Sequence, residues 1–423
     1  MDFYGHIIDG IEVPSLDGAT MDDVDPYTRE PWATIACGGQ ADADRAVAAA
    51  RRAFDDGPWP RMGYEKRQAV LHRLAALMEE HAAELAMADT RDMGKPISQA
   101  RIDVARSAWN VRFFADHARM SISDMYPMDS GHHAYTRFDP VGVAVAISPW
   151  NFPLMLGTWK VAPALAWGNT VVMKPAEDTP VSATLWARLA LEAGLPPGVL
   201  NIVHGYGPDS AGAALTGNPD VDRITFTGES GTGKVISGAA ARNLVPVSLE
   251  LGGKGANIVF DDADLDNAVS WAVQAIFRNA GQICLSGSRL YLQSGIYDEF
   301  IARFVAAAEA MRAGDPKDPE TEFPLALASR EHFTKVSGYL DTVTADGGRI
   351  LTGGVGEGWS VRPTIIVDAP PTARVCREEI FGPVCVAQRF DDEADAIAAA
   401  NDTRYGLNAM VFTENLSRAH RVS

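Results

Sequence analysis

Cysteine is scarce in this chain, four residues in 423. Cys37, Cys284, Cys376 and Cys385 form no CxxC pair and no Cys/His cluster. That argues against a disulfide framework and a structural zinc site, and it fits a reducing compartment. Positive charge is short as well: Lys+Arg 37 against Asp+Glu 55 leaves a net charge of −18. A surface for nucleic acid or for an anionic membrane is not expected from that balance. Long apolar runs are missing too; Val141–Ile147, among the longest, is far too short to span a bilayer. The acidic N-terminus, Met1-Asp2-Phe3-Tyr4, leads into no apolar core, so no signal peptide is read there. The expectation is a cytoplasmic protein with no metal, nucleic-acid or membrane partner.

What is present is ordinary globular material. Apolar residues make up 47% and mean hydropathy is −0.07, enough for two or three domains with their own cores. Helical spacing marks Asp42–Phe54, the run through Val70, Leu74, Leu77 and Leu85, and Ile102–His117. On the last of these, Ile102, Arg106, Trp109 and Phe113 share one face. Arg106 therefore either reaches outward along its apolar stem or aims into a pocket. Ser121–Asp139 is polar and irregular and suits a protruding β-hairpin. Beyond it, Val141–Ile147, Asn169–Met173, Val199–Val203, Arg223–Thr227 and Val247–Leu249 alternate with helical segments. This rhythm implies a parallel α/β sheet whose ligands lie at the carboxyl ends of the strands.

Chemistry-bearing residues fall just after those strands. Asn151 lies in Ser148-Pro149-Trp150-Asn151-Phe152-Pro153, with an amide able to donate a hydrogen bond. Lys174 and Glu177 supply a cation and an anion suited to ribose hydroxyls. Gly228–Val235 is a glycine-rich turn that either packs a helix against its strand or cradles phosphate. It approaches the G-x-x-x-x-G-K-[ST] pattern of nucleotide hydrolases, but Val235 occupies the place of the magnesium-binding hydroxyl, which ranks that reading low. Glu250 leads Gly252 and Gly253; it is a turn residue, or a base if a nucleophile is near. Cys284, between Gly281 and Gly287, follows an apolar helical run from Leu265 to Phe277. Alone it reads as a small buried hydrophobe. In this company it becomes a candidate nucleophile on a bent loop.

Together the segments Ser148–Pro153, Lys174–Glu177, Phe226–Gly228, Glu250–Lys254, Gly281–Cys284 and Glu378–Pro383 resemble the NAD(P)-dependent aldehyde dehydrogenase superfamily, in order and spacing over nearly the whole chain. The resemblance implies Cys284 as the nucleophile, Glu250 as the base for water, and Asn151 with the Cys284 backbone N–H as an oxyanion hole. It implies NAD as cofactor, held by Trp150, Lys174, Glu177, Gly228, Gly233, Glu379 and Phe381. The implied fold is α/β: a Rossmann-like dinucleotide-binding domain over 1–117 and 141–252, an oligomerisation hairpin over 118–140, and a second α/β catalytic domain over 253–423. A homodimer or homotetramer and a small-molecule aldehyde substrate are implied with it. Glu229, where many relatives carry serine, and Asp103–Arg106 ahead of an aromatic helix resemble the hydroxymuconic and aminomuconic semialdehyde dehydrogenases. In that branch the substrate carries a carboxylate, and Arg106 becomes its ligand. Two departures stand against the pattern. Thr321–Ala326 lacks the usual Ile-Gly-Pro-Leu turn, and relatives continue past the position of Ser423, so a poorly active NAD-binding fragment is the alternative expectation.

Overall fold

The computed structural model describes residues 1–423, which divide into two compact units. The first comprises Met1–Val24, Glu30–Asp92 and Ala100–Glu250; the second comprises Asp25–Arg29, Met93–Gln99 and Leu251–Ser423.

The first unit is built on a seven-stranded sheet. Its order is Val247–Glu250, Arg223–Thr227, Val143–Ile147, Thr170–Lys174, Leu200–Ile202, His6–Ile8 and Ile11–Val13. The first five strands run parallel, and His6–Ile8 pairs antiparallel with both of its neighbours. Val143–Ile147 and Thr170–Lys174 are buried at every position, as strands covered by helices on both faces must be. Chain order reverses between Val143–Ile147 and Arg223–Thr227, where the connections leave to opposite sides. That reversal opens the crevice in which doubly wound sheets hold ligands. The hairpin region carries two-residue strands, Met125–Tyr126 and Ala134–Tyr135, with both tyrosines exposed.

The helix expected over 102–117 spans Ile97–Arg119. It begins directly after Pro96, whose ring cannot continue a helix from its N-terminal side but leaves the residues after it free to start one. Its polar opening, Ser98-Gln99, hides this start from an apolar-spacing argument.

The second unit is built on a six-stranded sheet. Its order is Arg349–Val355, Val361–Val367, Val384–Phe390, Arg289–Gln293, Ala256–Val259 and Ala409–Phe412. Only the Arg349–Val355 edge is antiparallel. Helix Leu265–Phe277 packs Ala268, Ala272, Ile276 and Phe277 into a core with Phe300, Phe304, Leu290 and Val386. Asp264 caps that helix by accepting from the Asn267 N–H at 3.1 Å. These elements fix the point from which the loop bearing Cys284 departs.

Candidate active site

In the first unit, site residues gather at the carboxyl ends of the parallel strands. After Ile147 the loop is tied to the neighbouring strand by Ser148 N–H donating to the Lys174 carbonyl at 3.1 Å. Trp150 is half-buried there and Asn151 is buried. Pro153 then opens helix Pro153–Ala166, its fixed φ suiting the first turn. Lys174 ends its strand with the side chain only 3% exposed. Its Nζ donates to the Pro175 carbonyl at 3.0 Å and to Glu177 Oε2 at 3.2 Å. Burial holds this amine below the usual lysine range, with Glu177 opposing the shift.

The glycine-rich turn follows Arg223–Thr227. Helix Ser230–Arg242 starts there without a side-chain cap, and Gly233 is buried in its first turn. A Cβ added at Gly231 would meet nothing within 4 Å. The uncapped N–H groups of an open, small-residue helix start suit a pyrophosphate. Lys174 and Glu177, two strands away, suit a ribose diol. The residues present therefore fit a dinucleotide. Glu250 closes the neighbouring strand in register with Thr227; its side chain is exposed and its carbonyl accepts from Gly228 N–H at 3.0 Å.

One residue here escaped the sequence reading. Lys160 lies in the otherwise apolar helix Pro153–Ala166, is 8% exposed, and donates through Nζ to Thr227 Oγ1. A lone lysine inside an apolar helix was the available signal, because such a cation is retained only where it finds a partner.

Arg106 sits on the exposed face of Ile97–Arg119. Its guanidinium lies 4.1 Å from the Trp109 ring centroid. Trp109 stacks on Phe113 at 5.2 Å and Phe113 on His117 at 5.7 Å. Asp116 is engaged by His72 and Gln68, each at 2.7 Å. Arg106 itself takes part in no ion pair.

In the second unit, helix Leu265–Phe277 ends in a tight turn, Arg278–Gly281. Asn279, Ala280 and Gly281 have φ of 51°, 52° and 68°. Three successive left-handed residues, two of them non-glycine, are strained and need outside support. Gln282, fully buried, provides it: its side chain donates to the Asn279 carbonyl at 3.0 Å and accepts from Ala328 N–H at 3.0 Å. The loop carrying Cys284 is thus held from both sides. Cys284 itself is half-buried, whereas Cys376 and Cys385 are buried. Burial pushes the thiols of Cys37, Cys376 and Cys385 above the usual range, which makes them poor nucleophiles.

The Glu250–Lys254 motif and the Glu378–Pro383 motif meet around this loop. A Cβ at Gly253 would collide with the Cys284 carbonyl, and one at Gly252 with the Glu379 carboxylate. Glu379 Oε1 accepts from Gly253 N–H at 2.9 Å. Gly253 is thus explained by close backbone approach and Gly252 by the carboxylate packed against it. Phe381 holds φ of +61°, unusual for an aromatic residue. The structure brings Cys284, Glu379 and Phe381 together within this unit, and Asn151, Lys174, Glu177, Gly228, Gly233 and Glu250 along the strand ends of the other.

Comparison with known proteins agrees with this geometry. The aldehyde dehydrogenase family model matches residues 13–423. The chain is 45% identical to 2-hydroxymuconic semialdehyde dehydrogenase of Pseudomonas sp. (strain CF600), covering 99% of this chain and 88% of that protein. It is 43% identical to 2-aminomuconic 6-semialdehyde dehydrogenase of a Pseudomonas species, covering 99% and 87%. A crystal structure of indole-3-acetaldehyde dehydrogenase complexed with NAD+ superposes with a TM-score of 0.97 at 40% identity, over 100% of this chain and 87% of that one. With the family model matching residues 13–423 and relatives 43–45% identical over nearly the whole chain, the chain belongs to the aldehyde dehydrogenase family.

Proposed function

We propose that this enzyme oxidises a carboxylate-bearing semialdehyde to the corresponding acid, using NAD+, by way of a thioester on Cys284. The observation that carries the substrate class is the Arg106 guanidinium, exposed on its helix face and stacked at 4.1 Å on Trp109. A guanidinium pre-oriented on a ring offers two parallel donors to a carboxylate. The similarity to the two semialdehyde dehydrogenases of Pseudomonas supports the same reading.

The chemistry is then distributed as follows. The Cys284 thiolate adds to the aldehyde carbon, forming the C–S bond and an oxyanion. The Asn151 amide and the Cys284 backbone N–H donate to that oxygen. Lys174 and Glu177 hold the adenosine ribose, Trp150 lines the cofactor cleft, and Gly228 and Gly233 admit the pyrophosphate to the helix start. Glu379 and Phe381 orient the nicotinamide ribose. When bound, the nicotinamide supplies the hydride acceptor that turns the thiohemiacetal into a thioester. Glu250 takes a proton from the water that attacks the thioester; its carboxylate is exposed at the strand end and therefore open to solvent. The acid leaves and the thiolate is restored. Assembly as a homodimer or homotetramer through the 118–140 hairpin belongs to the same proposal.

The test is Arg106→Ala, assayed on an acidic semialdehyde and on a neutral aldehyde of similar size. Loss of a charge-assisted pair should lower kcat/KM for the acidic substrate alone, by roughly ten- to a hundred-fold. An equal loss on both substrates, or none on either, would remove the carboxylate-bearing class.

A further inference from the structure

Helix Arg330–Leu340 in the second unit does more than cover the sheet. Ser329 caps its start by accepting from the His332 N–H at 3.3 Å. His332, Val336 and Tyr339, spaced at i, i+4 and i+7, are all buried and share one face. That face grips the Glu378–Pro383 turn at three successive places. Tyr339 Oη donates to Glu378 Oε2 at 2.8 Å. Val336 lies so close to Gly382 that a Cβ there would stand 2.8 Å from its Cγ1. His332 Nε2 lies 2.7 Å from the Phe381 carbonyl oxygen, and the two rings meet edge to face at 5.9 Å.

A carbonyl oxygen only accepts, so the imidazole must carry its proton on Nε2. This donor bonds to the one residue of the turn held at positive φ, where an aromatic side chain would otherwise relax. The turn also meets the loop that leads to Cys284. The Gly382 carbonyl occupies the space a Cβ of Gly281 would need, three residues before Cys284. The turn thus takes a histidine donor at the Phe381 carbonyl and, one residue on, touches the strained turn ahead of Cys284.

We infer that His332 is a positioning residue for the oxidation step: by donating from Nε2 to the Phe381 carbonyl it holds the turn in the one conformation in which Glu379 and Phe381 meet the nicotinamide ribose. The inference rests on the proposed reading of Glu379 and Phe381 as cofactor ligands. Burial keeps the imidazole neutral, at about 4, so the donor is the same throughout the neutral range and adds no charge beside the cofactor.

The experiment compares His332→Leu, which removes the donor, with His332→Gln, whose amide can restore it, and with Phe381→Ala. Titration calorimetry with NAD+ and steady-state kinetics are run on each, alongside thermal melting without cofactor. In the Leu variant, NAD+ affinity should fall and KM for NAD+ rise by roughly tenfold, the scale of one buried hydrogen bond. KM for the aldehyde should stay unchanged, and the Gln variant should recover most of the loss. Should the Leu variant not fold, His332→Met supplies the donor-free comparison. Unchanged NAD+ binding in the donor-free variant beside weakened binding in Phe381→Ala overturns the role of His332 and leaves the turn as a cofactor ligand. Unchanged binding in Phe381→Ala overturns the reading of the turn itself and the inference with it. Equal losses in the Gln and Leu variants would also overturn it, since packing rather than the donor would then be at work.

Discussion

Lys174 Nζ and Glu177 Oε2 lie 3.2 Å apart at the carboxyl end of the second parallel strand, the lysine 3% exposed and the glutamate 37%. The buried cation is fixed by its neighbour, and the anion is the more exposed of the two.

With the proposed placement of Glu177 at the adenosine ribose, this arrangement should favour NAD+. A carboxylate beside the ribose accepts from its hydroxyls and repels a 2′-phosphate. kcat/KM with NAD+ should exceed that with NADP+ by at least about tenfold, and Glu177→Gln should narrow the gap. Equal use of both cofactors by the unaltered enzyme would mean that Glu177 does not face the ribose.

Cys284→Ala should abolish aldehyde oxidation while NAD+ binding, followed by calorimetry, stays within about twofold of the parent. The other thiols cannot substitute, because burial keeps them protonated. Steady turnover by the purified variant would refute the assignment.

Acid should weaken the fold through its buried histidines. Burial lowers His332 to about 4 from an ordinary 6.5 and pushes His204 down as well. The unfolded chain therefore binds protons that the folded chain refuses. The stability from keeping these rings neutral is complete above pH 6.5 and is lost as pH falls towards 4. For His332 alone the loss at pH 5 is ~2 kcal/mol. Urea unfolding at pH 7 and pH 5 should give a smaller pH effect for His332→Gln than for the parent. Equal sensitivity in the two proteins would contradict the buried neutral ring.

Lys254 gives a prediction of the same sense in a more alkaline window. Its Nζ is buried without a hydrogen-bond partner, and burial pulls the amine down to about 8 from 10.5. A base with a lowered folded value destabilises the fold below pH 8, and the penalty fades as pH rises to 10.5. Lys254→Met should therefore raise stability at pH 7 by about 1–3 kcal/mol, with the gain shrinking towards pH 10. Denaturant midpoints at pH 7 and pH 10 would decide it, and a loss at pH 7 would indicate a partner for the amine.

The sequence was most readable where local pattern and tertiary role coincide. Strand Arg223–Thr227 and helix Leu265–Phe277 have the bounds that spacing suggests, because a β-rich run and an apolar run each end at a polar or glycine residue. The strand-end motifs were readable because each chemical group follows its strand directly. Other features lie beyond local pattern. The left-handed Asn279 and Ala280 are non-glycine, so nothing in their identity announces the turn. Glu379 meets Gly253 across 126 residues, and His332 meets Phe381 across 49. Lys160 is not legible in the sequence, because one lysine in an apolar helix resembles a surface residue until its Thr227 partner is known.

The partition of the chain has a consequence for how the gene can be cut. Residues 25–29 and 93–99 belong to the second unit although they precede most of the first. They supply it with the Lys317–Asp25 pair at 2.8 Å, the Ile97 N–H to Pro316 carbonyl bond at 2.7 Å, and Gln99 Oε1 accepting from Asn279 N–H at 3.1 Å. The last of these supports the turn that leads into the loop bearing Cys284. A polypeptide begun at residue 251 would leave these groups unanswered, so the two halves are not separable cassettes. Recombination with a relative at that boundary should succeed only when both N-terminal segments travel with the C-terminal half.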